Sequence, residues 1–147
     1  MELKNREEIL VSICCITYNQ ENYIRDTLEG FLSQKTNFSY EVLIHDDAST
    51  DGTADIIREY ARRYPEKMKP ILQLENQYAK GLYNVSGTYN FPRARGRYIA
   101  MCEGDDYWTD RYKLQRQVDF MEAHPDCSLV FHSARIEVQG RALTEKR

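Results

Sequence analysis

At 147 residues, with 41% hydrophobic and 29% charged side chains, the chain has the make-up of one ordinary globular domain, which excludes a disordered or collagen-like polymer. Twenty basic against 23 acidic residues leave a formal charge of −3, so no global basic field invites nucleic acid. The longest apolar run, Ile9 to Ile16, falls well short of the roughly 20 residues of a membrane helix, and the charged opening Met1-Glu2-Leu3-Lys4-Asn5-Arg6 is no secretory signal, so the expected address is cytoplasmic.

Strand-like and helix-like segments alternate along the chain. Ile9 to Ile16 is almost continuously apolar and rich in Ile, as expected of a strand covered on both faces. Ile24, Leu28, Phe31 and Leu32 then share one helical face. Tyr40 to His45 reads as a second strand. Ile56, Ile57, Tyr60, Ala61 and Tyr64 make a second helical stripe, with Ser49, Thr50 and Asp51 as candidate caps and Pro65 as its stop. Met68 to Leu74 is the third strand. Residues 75–96 carry Gly81, Gly87 and Pro92 and are expected to be irregular with a helical piece. Arg97 to Cys102 is the fourth strand, Leu114, Val118 and Met121 mark a third helix closed by Pro125, and Cys127 to His132 is the fifth strand. This alternation predicts an α/β fold with a mostly parallel sheet flanked by helices. The organisation expected is a tail over 1–8, one domain over 9–138 and a polar tail over 139–147.

Ligands of open α/β sheets bind beyond the carboxyl ends of the strands. Three of these ends carry polar clusters: Thr17-Tyr18-Asn19-Gln20-Glu21, Asp46-Asp47-Ala48-Ser49-Thr50-Asp51-Gly52, and Glu103-Gly104-Asp105-Asp106-Tyr107-Trp108. Parallel strands bring all three to one edge. Asp51-Gly52 is good turn and capping chemistry, whereas adjacent acids at a buried strand end, Asp46 and Asp47, need a partner. The stretch from Asp47 imitates a calcium loop, but its twelfth position is Arg58, not a bidentate Glu, and the match fails. Three carboxylates among residues 103–106 suit a hard cation such as Mg²⁺ or Mn²⁺, with phosphate oxygens completing its shell. Tyr18 offers a stacking ring and Tyr107-Trp108 a sugar wall, with core packing as the alternative for each. Arg93, Arg95 and Arg97 read either as a counter-charge to a diphosphate or as a solvated face.

Other chemistries find little support. The four cysteines form no C-x-x-C pair and read as buried free thiols. The three histidines are far apart, and neither a Walker loop nor G-x-G-x-x-G is present. A phosphorylation receiver would need an acidic pair after strand one and a Lys after strand five, and both are missing.

The motifs Val11-Ser12-Ile13-Cys14-Cys15-Ile16-Thr17-Tyr18-Asn19, His45-Asp46-Asp47-Ala48-Ser49-Thr50-Asp51-Gly52-Thr53 and Gly96-Arg97-Tyr98-Ile99-Ala100 with Glu103-Gly104-Asp105-Asp106 resemble family 2 glycosyltransferases of the GT-A fold, in order and spacing, from about Ile9 to Val138. The bacterial capsule and lipopolysaccharide enzymes are the most similar in wording. Ile16 stands where a proline is often found, Glu103 where aspartate is commoner, and the Arg-Asn pair usual before strand four is not evident. The resemblance implies a nucleotide-diphosphate-sugar donor, a UDP-sugar first among them, with Mn²⁺ or Mg²⁺ and inversion at the anomeric carbon. It implies donor-binding roles for Thr17, Tyr18, Asn19, Glu21, Asp47 and Asp105, with Asp47 against the base, and metal ligation by Asp106 and Asp105. The acceptor implied is a saccharide or lipid-linked saccharide, met at the inner face of the membrane. The general base is expected beyond residue 147, so this chain is expected to be the donor-binding part of a longer protein. The alternatives weighed are a sugar-nucleotide-binding module without transfer activity and a sugar nucleotidyltransferase.

Overall fold

The structure is a computed structural model that describes residues 8–138 and the backbone of residues 141–146. The expected tail over 1–8 therefore lies almost wholly outside the described residues. In chain order the elements are β1 (Ile9–Thr17), α1 (Ile24–Leu32), β2 (Ser39–Asp46), α2 (Thr53–Arg63), β3 (Met68–Leu72), a π-helical turn (Ser86–Asn90), a 3₁₀ turn (Phe91–Arg93), β4 (Tyr98–Met101), α3 (Lys113–Ala123), β5 (Ala134–Val138) and β6 (Arg141–Lys146). The described residues divide into two compact units after Leu114.

The first unit is built on a four-stranded sheet in the order β3-β2-β1-β4, with every pair parallel. Parallel strands need crossovers, and right-handed crossovers fix which face each one covers. The steps β1→β2→β3 run one way, so α1 and α2 share a face and touch each other. The connection from β3 to β4 runs back the other way, so the π turn lies on the opposite face, against β1 and β2. The period-2 alternation of β2 matches this arrangement. Tyr40 reaches α1, its hydroxyl donating to the Phe31 carbonyl at 2.7 Å. His45, on the opposite parity, stacks on Tyr89 at 4.6 Å. Val11, Ile13, Cys15, Ile24, Leu28, Phe31, Val42, Ile44 and Ile57 form a core closed to water. Each such side chain contributes about 1.5–3 kcal/mol. Pro70 sits in β3, an edge strand, where a missing N–H is tolerated.

The second unit holds most of α3 and an antiparallel hairpin of β5 and β6. Here the fifth expected strand is corrected. Residues 127–133 form no strand, and the ladder falls instead on Ala134–Val138 paired with Arg141–Lys146. An apolar run supplies side chains for a strand but not the neighbour whose backbone it must bond. Leu129 and Phe131 accordingly stand exposed.

The reading of three arginines before β4 as a patch is also corrected in part, since the first two are bonded into the fold, Arg95 staying half exposed as it does so. Arg93 reaches into the sheet, donating from Nη1 to the Lys69 carbonyl at 2.7 Å and from Nη2 to Ile44 at 3.3 Å and Asn90 Oδ1 at 2.9 Å. Asn90, itself buried, donates to the Cys15 carbonyl at 3.0 Å. Residues of the two helical turns thus tie β1, β2 and β3 together. Arg95 pairs with Glu41 at 2.8 Å, and the Glu41 carboxylate also accepts from the Ser12 hydroxyl at 2.7 Å and the Arg95 N–H at 2.9 Å.

Burial alone would raise the Glu41 carboxyl, but the bonds from Arg95 and Ser12 hold it below its ordinary value. The folded state therefore binds fewer protons than the unfolded one around that pKa. The stabilisation is complete above the unfolded carboxylate value and lost as pH falls through the lower folded value. Glu41→Gln should cost about 1–3 kcal/mol at neutral pH, and the gap to wild type should narrow at an acidic pH below the ordinary carboxylate value. Urea unfolding at both pH values checks this; an equal gap at both would contradict it.

Candidate functional site

In the order β3-β2-β1-β4 the chain reverses direction between β1 and β4, and such a switch point opens a crevice at the strands' carboxyl ends. Two backbone bonds set the spacing there. Asp47 donates to the Thr17 carbonyl at 3.0 Å and Gly104 donates to the Ile16 carbonyl at 3.0 Å. The polar clusters after β1, β2 and β4 therefore meet at one edge.

The first two clusters are stitched to each other by side chains. Asn19 Oδ1 accepts from the Thr50 N–H at 2.8 Å, and the Asn19 N–H donates to Ser49 Oγ at 2.9 Å. Glu21 accepts from the Gly52 N–H at 2.7 Å, while Asp51 accepts from the N–H groups of Glu21 at 3.2 Å and Thr53 at 2.9 Å. Asp46 accepts from the Ser49 N–H at 3.0 Å and hydroxyl at 2.5 Å. Both Asn19 and Ala48 adopt positive φ, 51° and 61°, which turns each loop back on the other. Gly52 is the N-cap of α2, and Asp51, one residue earlier, supplies the carboxylate that a cap would. Asp47, 5% exposed, points elsewhere: its Oδ1 accepts from Gln77 N–H at 2.8 Å and its Oδ2 from Tyr78 N–H at 3.0 Å.

The third cluster is clamped from α1. The buried Thr27 hydroxyl lies 2.6 Å from the Asp106 carbonyl and 3.0 Å from that of Gly104, sharing one hydrogen between them. Asp105 and Asp106 remain exposed at the crevice. Partial burial, and then the charge of Asp105 beside it, raise the Asp106 carboxyl above its ordinary value. Thr17 is 4% exposed, and its hydroxyl is buried without a hydrogen-bond partner, as is Gln20 Oε1. A buried hydroxyl left unpaired is costly, so the edge holds unused bonding capacity next to two carboxylates. Among the described residues no three His, Cys, Asp or Glu side chains are grouped to enclose a metal.

The family model for glycosyl transferase family 2 matches residues 12–145, which takes in most of β1, all three polar clusters and nearly all of the hairpin. The chain belongs to this family. It is 48% identical over 128 residues to an uncharacterised protein of Mycobacterium tuberculosis, covering 86% of this chain and 35% of that one. It is 41% identical over 115 residues to the Escherichia coli UDP-Glc:α-D-GlcNAc-diphosphoundecaprenol β-1,3-glucosyltransferase WfaP, covering 77% and 41%. Among solved structures, Staphylococcus aureus TarS 1–349 in complex with UDP-GlcNAc superposes with a TM-score of 0.69 at 26% identity, over 92% of this chain and 37% of that one. The chain thus spans well under half the length of these relatives.

In this family 2 chain the residues named from sequence divide into two groups. Tyr18, Asp105 and Asp106 are exposed at this edge, Tyr18 at 47%, whereas the unpartnered Thr17 hydroxyl is buried against Gly104. Asn19, Glu21 and Asp47 also sit at this edge, with their side chains engaged by neighbouring loops. Tyr107 is exposed, but Trp108 belongs to the core, packed edge-to-face on Phe31 at 4.8 Å. The Lys113 ammonium lies 4.0 Å over the Trp108 ring, and burial brings its pKa down to about 8. The motifs give no role to Thr27 and none to Gly104 beyond its place among the acids. Gly104 carried the only available signal, a residue without a side chain amid acids.

A Cβ on Gly104 would lie 2.8 Å from both Cβ and Oγ1 of Thr17. Gly104→Ala should therefore force β1 and the acidic loop apart and destabilise by about 1–3 kcal/mol. Thermal unfolding measures the loss; a wild-type Tm would show that the loop yields without cost.

Proposed function

We propose that this chain binds the donor of a glycosyltransferase that moves a sugar from a nucleoside-diphosphate sugar, a UDP-sugar first, to a saccharide or lipid-linked acceptor with inversion. The observation that carries this reading is the unpartnered, buried Thr17 hydroxyl packed against Gly104, the residue that precedes the exposed Asp105 and Asp106, at the β1–β4 switch point. The likeness to WfaP and to TarS with UDP-GlcNAc supports a uridine nucleotide.

The donor set fits a hard divalent cation held in part by its substrate. Two carboxylates in sequence, with no third acid grouped on them among the described residues, leave coordination positions for diphosphate oxygens and water. Asp105 and Asp106 would hold Mn²⁺ or Mg²⁺. Such a cation supplies Lewis-acid neutralisation of the leaving diphosphate. The chain's own residues do the rest of the binding. Tyr18 offers its exposed ring to the base, and Thr17 its hydroxyl to the nucleotide. The Asn19, Glu21, Ser49 and Asp51 bonds hold both loops in place before the donor arrives, which lowers the ordering cost of binding. Thr27 fixes the backbone that bears both acids. No general base is assigned among the described residues. Among the described residues no helix is long and apolar enough to cross a membrane.

Two adjacent carboxylates and a diphosphate repel one another unless a cation intervenes. Calorimetric titration with UDP should show binding in Mn²⁺ that is lost in excess chelator. Asp106→Asn keeps size but removes an anionic ligand, and should weaken metal-dependent binding at least about tenfold. Equal affinity with and without metal would overturn the site.

A further inference from the structure

Asp47 makes three bonds to three consecutive residues. Its carbonyl accepts from Asn76 Nδ2 at 3.1 Å, and its carboxylate oxygens accept from the N–H groups of Gln77 at 2.8 Å and Tyr78 at 3.0 Å. A carboxylate has about four acceptor sites, and at 5% exposure little of this one is open to solvent. The 75–81 loop is otherwise closed on itself. Ala79 N–H donates to Asn76 Oδ1 at 2.7 Å, Gly81 N–H to the Tyr78 carbonyl at 2.9 Å, and Gly81 takes the positive φ of 90° that ends the turn. The Tyr89 hydroxyl braces it from behind, 3.3 Å from Gln77 Oε1.

What this rigid loop displays is aromatic. The Tyr78 ring is 59% exposed and meets Tyr83 edge-to-face at 5.2 Å. Its backbone is separated from the end of β1 by Asp47 alone, whose N–H is bonded to Thr17. A rigid tyrosine is a stacking surface that costs little entropy to use. We propose that Asp47 is a positioning residue for donor recognition: it holds the 75–81 loop so that Tyr78 stands at the ligand edge as a stacking surface for the nucleobase. This rests on the donor reading above and departs from direct contact between Asp47 and the base.

Asparagine at 47 keeps one acceptor but turns an NH₂ toward the second amide, so Asp47→Asn tests the clamp directly. Hydrogen exchange without ligand should quicken at Gln77 and Tyr78 in this variant and stay unchanged at Ile13 and Val42 in the core. UDP titrations with Mn²⁺ then form a cycle with Tyr78→Ala, and Tyr78→Phe should bind as wild type does. Asp47→Asn and Tyr78→Ala should each weaken UDP about tenfold, yet Asp47→Asn should add less than about twofold to Tyr78→Ala. Equal effects of Asp47→Asn in both backgrounds, unchanged exchange at residues 77 and 78, or unaltered UDP affinity in Tyr78→Ala would each overturn the positioning role while leaving the donor site standing. A wild-type protein that binds no UDP, with the exchange result intact, would overturn both the donor reading and the role of Tyr78, leaving Asp47 as a structural clamp only.

Discussion

Three loops can form one site here because two backbone hydrogen bonds extend the parallel ladders beyond the strands, from Asp47 to Thr17 and from Gly104 to Ile16. Asp47 directly follows β2 and Gly104 lies three residues past the end of β4, where polar side chains replace apolar ones. The ladder fixes the loops' spacing to that of neighbouring strands, roughly 5 Å. Everything proposed for the crevice follows from this constraint. Gly104 has no side chain because Thr17 fills the space, and Thr27 clamps the next carbonyls so that Asp105 and Asp106 are presented together.

The same edge shows a division of labour among acids. Asp46, Asp51, Glu21 and Asp47 accept hydrogen bonds from backbone N–H groups, which ties the loops to one another. Asp105 and Asp106 instead lie exposed, and the raised Asp106 carboxyl reflects burial and a like charge beside it. Acids engaged by loop N–H groups thus share one sheet edge with two acids that stay exposed. Beneath them, neutral His45, held down in pKa chiefly by burial, and the cationic Arg93 fill the sheet face opposite α1 and α2.

Much of the architecture was legible because it rests on side-chain periodicity. The apolar run of β1, the stripes of α1 and α2, and the proline stops all fall within a residue or two of the observed elements. What escaped depends on partners that sequence does not specify. Cys127 to His132 has strand composition but no ladder. Arg93 and Arg95 look like a surface patch until Glu41, a lone acid inside an apolar strand, is seen to need Arg95. That buried Glu was the available signal. Likewise the motif of Asn19, Glu21 and Asp47 places them at the site edge, while only coordinates reveal that neighbouring backbone N–H groups engage their side chains.

In the donor reading proposed above, nucleotide and cation meet at the β1–β4 switch point and not elsewhere on the sheet. Paramagnetic broadening locates such a site without depending on turnover. Amide spectra of the ¹⁵N-labelled protein with UDP, compared between Mg²⁺ and trace Mn²⁺, would show which residues lie nearest the ion. Selective loss of signals from Thr17, Tyr18 and Gly104 through Tyr107 is the result expected. Broadening centred instead on the opposite edge of the sheet, where Lys35, Tyr40 and Lys67 line a cavity, would contradict the account.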